Sequence, residues 1–250
     1  MIALLPRTVG GIVAAAVIAA TAAAAADDFA PAELRSRLVQ WLQYEARAVG
    51  SETGVTSFDQ RVLDAMARVP RHEFVPAEFR PFAYLDVPLP LGHGQNISQP
   101  FIIALMTHLA RIRPDDVVFE TGTGAGYHAA ILALLAKRVY SVEYVETFVA
   151  PAAALLDRLG YHNVEVHAAD GYYGWRRAAP YDVIIVKEAL HHLPAPLVSQ
   201  LKPGGRMVIP LGPAEGEQFL TLIEKGDDGT LTETRIMTVR FSPLQGGERI

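Results

Sequence analysis

Between residues 117 and 210 the apolar positions of this chain follow two alternating periods. Short runs rich in β-branched and aromatic residues, "VVF" (117–119), "VYSV" (139–142), "VEVH" (164–167), "YDVIIV" (181–186) and "GRMVIP" (205–210), predict strands. The Ala/Leu-rich stretches 126–137 and 148–159 predict helices, with Pro151 tolerated in a first turn. Strands that alternate with helices predict a parallel sheet covered on both faces. The end of the chain reads differently: "QFLTLIEK" and "TETRIMTVRF" flank "GDDGTL", the pattern of an antiparallel hairpin. The predicted fold class is α/β, a doubly wound seven-stranded sheet with a C-terminal antiparallel hairpin.

Ahead of the sheet the pattern is helical and then broken. Leu34, Leu38, Trp41, Leu42 and Val49 share one helical face, with Pro31 at the start and Gly50 at the stop. "SETGVTS" (51–57) follows as a linker, so residues 27–57 form an N-terminal helix and linker ahead of a domain at 58–250. Ser57 or Asp59 caps a second helix carrying Val62, Leu63, Met66 and Val69, which ends before Pro70. Prolines at 70, 76, 81, 88, 90 and 100 predict loops and short extended pieces, and residues 101–111 are helical again.

The first 26 residues stand apart. One Arg, an unbroken apolar run at 11–20 and an Ala-x-Ala site before Asp27 predict a cleavable signal peptide. The expected location is therefore export, to a periplasm, with cleavage at the Ala26-Asp27 junction and no stable membrane insertion afterwards. The alternatives are an uncleaved anchor or a cytoplasmic protein with a misassigned start.

Composition narrows the chemistry. At 250 residues and 50% hydrophobic content the chain can bury a full core. A net charge of −5 with no Lys/Arg run disfavours a nucleic-acid partner, which needs a clustered basic face. The chain has no cysteine, so thiolate metal sites, disulfides and cysteine nucleophiles are excluded. His191-His192 lack metal-site spacing, and no metal is expected. A monomer is expected.

The first predicted strand runs into "ETGTGAGYHAA" (120–130), placing Gly122, Gly124 and Gly126 before a helix. Glycines there permit positive φ and a close ligand approach. The G-x-G-x-G spacing is one residue tighter than the dinucleotide fingerprint, and the loop has no Lys or Arg to meet a phosphate. A nicotinamide oxidoreductase is disfavoured accordingly. Glu120 precedes the loop, Glu143 ends the second strand where a carboxylate can take ribose hydroxyls, and Asp170 follows the third, within reach of an adenine amino group. Three acids around a nucleoside site suit a cationic ligand without phosphates, such as S-adenosylmethionine. The plain reading of Glu143 and Asp170 is as ordinary strand-end residues.

The motifs "VPRHEFVP" (69–76), "GHGQNISQPFIIALM" (92–106), "ETGTGAGYHAA", "ADGYYGW" (169–175), "LKPGGRMVIPLG" (201–212) and "VRFSPL" (239–244) occur in series. Together, over about residues 58–245, the chain closely resembles the protein-L-isoaspartate O-methyltransferase family. The resemblance implies a Rossmann-like class I methyltransferase fold, S-adenosylmethionine as donor with S-adenosylhomocysteine as product, and isoaspartyl peptides and proteins as partners. It places Ser98 in the active site and Gly122, Gly124, Glu143 and Asp170 on the cofactor. Thr123, Gly126 and Gly171 join that cofactor set, with Glu120. Asn96 and Ile97, beside Ser98, and Lys187 and Glu188, after the fourth strand, are the expected acceptor-side residues.

Three positions depart from the family pattern. Asn96 stands where the family usually has Thr, and Ala125 where it has Ser. "KEALHHLP" (187–194) replaces a small, uncharged run after the fourth strand, at the carboxyl end of a central strand where an acceptor should sit. Lys187 and Glu188 either pair with each other and leave the pocket intact or reshape it for another acceptor. A different carboxylate or hydroxyl acceptor, and a non-catalytic nucleoside-binding module, are the alternatives to isoaspartyl repair.

Methyl transfer onto a carboxylate needs little machinery. The acceptor is already ionised at neutral pH, so alignment and exclusion of water can supply most of the acceleration. Ser98 reads as a positioning hydroxyl rather than a nucleophile. It is equally well placed to cap the helix that begins near 101. His93, between two glycines, reads as a loop residue.

Overall fold

The computed structural model describes residues 30–246; the segment 1–26, expected from its sequence to be a signal peptide, lies outside them. In chain order the elements before the sheet are helices α1 (Pro31–Ala48), α2 (Gly50–Thr53) and α3 (Gln60–Arg68), a hairpin β1 (Leu89–Gly92) and β2 (Gln95–Ile97), and helix α4 (Pro100–Ala110). The sheet region contains β3 (Val117–Thr121), α5 (Tyr127–Ala133), β4 (Arg138–Glu143), α6 (Glu146–Arg158), β5 (Val164–Ala168), β6 (Tyr181–Ile185) and α7 (Ala195–Gln200). It closes with β7 (Leu201–Leu211), β8 (Gln218–Lys225) and β9 (Leu231–Val239). Among the described residues no helix is long and apolar enough to cross a membrane.

The seven strands lie in the order β5-β4-β3-β6-β7-β8-β9. The first five in that order pair in parallel, and β8 and β9 add antiparallel. The apolar run of β6 shows why both faces must be covered. Val183 and Ile185 enter the core under α1, α3, α4 and α5, while Ile184 and the following Val186 enter a second core with Phe119, Met207 and Leu197. A period of two sends successive side chains to opposite faces, so a strand buried on both sides must be apolar throughout. Full burial of each such side chain contributes about 1.5–3 kcal/mol.

The chain winds from β3 out to β4 and β5, then returns to place β6 on the other side of β3. The strand order therefore reverses between β3 and β6, and the crevice beyond their carboxyl ends is where α/β sheets of this kind receive ligands. Both the glycine loop and the residues after β6 open onto that crevice.

The N-terminal region differs from the sequence expectation in three ways. Segment 51–57 is not a plain linker: α2 occupies Gly50–Thr53, directly after α1. Nor does α1 stand apart from the domain, because Leu38, Leu42 and Ala46 enter the main core. Trp41 leaves that buried face and is 49% exposed, its ring 5.5 Å from that of Tyr44, because the buried stripe follows 38, 42 and 46. Of the two cap candidates for α3 it is Asp59 that accepts from Arg61 N, at 2.8 Å.

Candidate active site

The decapeptide "LGHGQNISQP" forms a hairpin followed by a helix start, within the region where the prolines predict loops and short extended pieces. β1 and β2 pair antiparallel around a tip at Gly92, His93 and Gly94, all with positive φ. The alternation rule misses strands of three or four residues whose glycines and amides carry no apolar signal. His93 closes the turn and packs its ring edge-on to Phe148, 5.6 Å between centroids, a loop role as its position predicts.

A buried and a half-buried charge hold this hairpin to the domain. Arg71 has no accessible surface; its Nη2 donates to Ser98 O at 2.9 Å and to Val87 O at 3.3 Å, and its guanidinium lies 4.8 Å over the Tyr127 ring. Burial pulls the guanidinium down to about 10, which still leaves it a cation at neutral pH. Asp86 accepts from Phe101 N at 2.7 Å and from Gln99 Nε2 at 2.9 Å. Asp86 thus caps α4 from a distance, and Gln99 rather than Ser98 occupies the N-cap position. Ser98 is released from the capping role that sequence allowed it, and it lines the cleft. Neither Arg71 nor Asp86 has a sequence signal for this task, because each acts on residues far along the chain.

On the sheet side, Gly122, Gly124 and Gly126 all have positive φ (62°, 54° and 94°), which accounts for glycine at each position. The loop is braced from below. Glu143 accepts from Gly124 N at 2.7 Å and from Val145 N at 2.8 Å. Thr123 Oγ1 and Ser141 Oγ lie 2.5 Å apart, and Ser141 Oγ donates to Glu120 Oε1 at 2.8 Å. Glu120, expected on the cofactor, is fully buried under the loop and does not line the cleft. A strand directs alternate residues to opposite faces, and that alternation sends Glu120 inward.

Lys187 and Glu188 do not pair with each other. Lys187 Nζ reaches Glu120 Oε2 at 2.9 Å, outside hydrogen-bond angles, so the contact is a buried ion pair rather than a directed bond. Glu188 Oε2 instead accepts from Thr121 Oγ1 at 2.5 Å. The same threonine hydroxyl accepts from Lys187 N at 3.1 Å. Glu188 keeps part of its surface open to the cleft while protein packs round the rest of the carboxylate. Its pKa is pushed up to about 7, chiefly by burial, against the Thr121 hydrogen bond and Lys187, with Glu143 and Glu120 adding to the rise.

These parts enclose one cleft of about 430 Å³. Asn96, Ile97 and Ser98 line one wall, and Gly122, Thr123, Gly124 and Glu143 the other; Lys187 and Glu188 line it as well. Residues 237–242, from the end of β9 onward, form a further wall that sequence reasoning did not assign to the site. They are fixed by Ala189 N donating to Ser242 O at 2.9 Å and by Phe241 N donating to Gln218 Oε1 at 2.7 Å. His128 is the other missed residue. The single proton of Thr107 Oγ1 goes to Ile103 O at 2.7 Å, so His128 Nε2, 2.9 Å away, must donate to that hydroxyl. Burial first, then Lys187, hold the imidazole well below its usual pKa and therefore neutral.

Besides Glu120, three expected cofactor residues sit outside this main cleft: Asp170, Gly171 and Gly126. Asp170 uses Oδ1 to accept from Tyr172 N at 2.9 Å, capping the turn after β5. Gly171 lines a small adjoining recess with Glu143 and Glu188, and a Cβ there would come within 2.9 Å of Thr121 Cβ. Gly126 instead packs at the start of α5, where a Cβ would meet Leu156 at 3.1 Å. Among the described residues no three His, Asp or Glu side chains gather as a metal site.

The reversed strand order and the glycine cradle, with Glu120 and Glu143 beneath it and no Lys or Arg in the loop itself, define an α/β enzyme of the class I methyltransferase type. Residues 50–249 match the model of the family "Protein-L-isoaspartate(D-aspartate) O-methyltransferase (PCMT)". A protein-L-isoaspartate O-methyltransferase 2 of Polaromonas sp. (strain JS666) is 53% identical over 200 residues, covering 80% of this chain and 95% of that relative. A solved protein-L-isoaspartate O-methyltransferase matches with a TM-score of 0.71 at 28% identity, covering 85% of this chain and 66% of that one. A beta-aspartate methyltransferase (PCMT) from Plasmodium falciparum, solved in complex with S-adenosyl-L-homocysteine, has a TM-score of 0.68 at 23% identity, over 82% of this chain and 96% of that one. The chain belongs to the protein-L-isoaspartate O-methyltransferase family.

Proposed function

We propose that this enzyme transfers the methyl group of S-adenosylmethionine to the free α-carboxylate of L-isoaspartyl residues in damaged peptides and proteins, a protein-repair reaction. The observation that carries the reading is that a single cleft joins the Ser98 wall to the glycine loop. The S-adenosylhomocysteine in the Plasmodium falciparum structure supports the donor.

The residues present fit that donor. Gly122 and Gly124 hold left-handed backbone that a side chain would strain, and Gly124 faces Leu91 so closely that a Cβ would lie 3.1 Å from its Cδ1. Glu143 spends one lone pair of each oxygen on a backbone N–H and keeps the others for ribose hydroxyls. When bound, the donor supplies a methyl on a sulfonium whose carbon–sulfur electron pair stays with sulfur as an acceptor oxygen lone pair takes the carbon.

The chain's own residues then have to align and desolvate. Ser98 offers a hydroxyl to the acceptor carboxylate, held in place by Arg71 through its carbonyl. Asn96 and Ile97 continue the same wall. No general base is needed, since an ordinary carboxyl is ionised well below neutral pH. Alignment of this kind can supply about 7–11 kcal/mol of the barrier reduction.

Incubation with methyl-labelled donor tests the reading. An isoaspartyl peptide should take up base-labile label, and the aspartyl peptide of the same sequence should not. Equal labelling of both, or none, would overturn the acceptor assignment.

We infer further that the enzyme works outside the cytoplasm, on the strength of the apolar run at 11–20 and the Ala-x-Ala site before Asp27. Fractionation of a C-terminally tagged chain, with mass measurement of its N-terminus, should find a periplasmic form beginning at Asp27. A full-length cytoplasmic form would refute export.

A further inference from the structure

The segment after β6 carries a charge that the reaction does not call for. A Cβ built on Gly122 would lie 1.9 Å from Glu188 Oε1, so this carboxylate sits directly over the first loop glycine. Its backbone is pinned from both sides. Lys187 N donates to Thr121 Oγ1, Ala189 N to Ser242 O at 2.9 Å and Leu190 N to Pro210 O at 3.2 Å. Thr121 Oγ1 fixes one carboxylate oxygen, and the other faces the loop. Glu188 is the one side chain of this group that lines both the main cleft and the adjoining recess with Gly122 and Glu143.

Among the described residues no cation forms an ion pair with Glu188. Lys187 is committed to Glu120 at 2.9 Å, and His128 is buried and neutral. Glu143 adds a second carboxylate, taken up by backbone N–H groups, and Arg240 is exposed on the wall beyond β9. Along the strand ends the order is Glu143 on β4, Gly122 after β3 and Glu188 after β6. A donor with its ribose held by Glu143 would extend its other end along this row toward Glu188. That end is an amino acid with an ammonium group.

Resting on the donor reading above, we propose that Glu188 is a donor-binding residue, its carboxylate pairing with the ammonium of the donor's amino-acid arm. This moves Glu188 from the acceptor side to the donor side and leaves acceptor choice to Asn96, Ile97, Ser98 and the 237–242 wall. A charge-assisted bond replaces the water that a small residue here would admit. Because the carboxyl is held protonated toward neutral pH by its burial, pairing requires it to give up its proton when the donor arrives.

Calorimetric titration of the full chain tests this with three ligands: S-adenosylmethionine, S-adenosylhomocysteine, which keeps the ammonium but lacks the sulfonium charge, and 5′-methylthioadenosine, which lacks the amino-acid arm. Glu188→Gln, which preserves the Thr121 bond, should weaken the first two about tenfold and leave the third unchanged. Wild-type affinity for S-adenosylhomocysteine should rise between pH 6.0 and 7.5 with net proton release, and the variant should show neither. Equal weakening of all three ligands would mean a structural role, and weakening of S-adenosylmethionine alone would point to the sulfonium; either overturns the proposal. Tighter binding by Glu188→Ala than by wild type would also overturn it, as the mark of a blocking group. Wild type that binds none of the three would refute the donor reading itself, a separate result.

Discussion

Lys187 Nζ lies 2.9 Å from Glu120 Oε2, with Glu120 completely buried and the lysine side chain only 9% exposed. This pair sits beneath the glycine loop and ties the residue after β6 to the residue before the loop. Removing one partner strands a buried charge, and that is costlier than removing both. Lys187→Met should therefore lose about 3–5 kcal/mol in urea unfolding. The double variant Lys187→Met/Glu120→Gln should recover most of that loss, and a double variant no more stable than the single would show that the pair is not the source.

Ser98 and Asp86 divide the two roles that sequence assigned to one residue. Ser98→Ala should leave the unfolding midpoint unchanged and lower turnover roughly tenfold, the worth of one hydrogen bond to a charged group at about 1.5 kcal/mol. Asp86→Ala should do the reverse at first order, costing about 1–2 kcal/mol of stability through the lost cap of α4. Thermal unfolding and initial rates on the same preparations separate the two.

Arg71 positions Ser98 through its carbonyl and does not itself line the cleft. Arg71→Met should raise KM for the isoaspartyl peptide about tenfold while S-adenosylhomocysteine affinity measured by calorimetry stays constant. A parallel loss of both would indicate general unfolding of the site. Arg71→Lys should not rescue, because a single ammonium cannot reach the carbonyls of both Val87 and Ser98 and also stack on Tyr127.

The pH dependence of stability has two limbs of opposite sign. Folding raises Glu45, by burial and then by Asp86, from 4.5 to about 7, and Glu188 rises to the same region. The folded chain then binds protons more tightly than the unfolded one between about pH 4.5 and 7, so stability falls as pH rises through that window. His128, held below 6.5, acts oppositely: the unfolded chain protonates first, and stability falls as pH drops below that value. Glu45→Gln should unfold about 2–4 °C higher than wild type at pH 8 and show no such gain at pH 4.5. His128→Gln should flatten the acid limb only.

The strand–helix alternation of 117–210, the closing hairpin and the glycine loop were legible in sequence because each depends on residues near one another along the chain. Periodicity places Val183 and Ile184 on opposite faces, and positive φ requires Gly122, Gly124 and Gly126, whatever lies elsewhere. The position of the donor loop and the family motifs were therefore determined by the sequence itself. Tertiary structure decided which charges meet. Lys187 pairs across two strands with Glu120 instead of with its neighbour, Glu188 turns to Thr121 and lies over Gly122, and Arg71 reaches 27 residues along the chain to Ser98. The pairings of Lys187 and Glu188 follow from the reversal that sets β6 beside β3, and the reach of Arg71 follows from the need to give a buried guanidinium acceptors. Neither leaves a local mark on the residues involved.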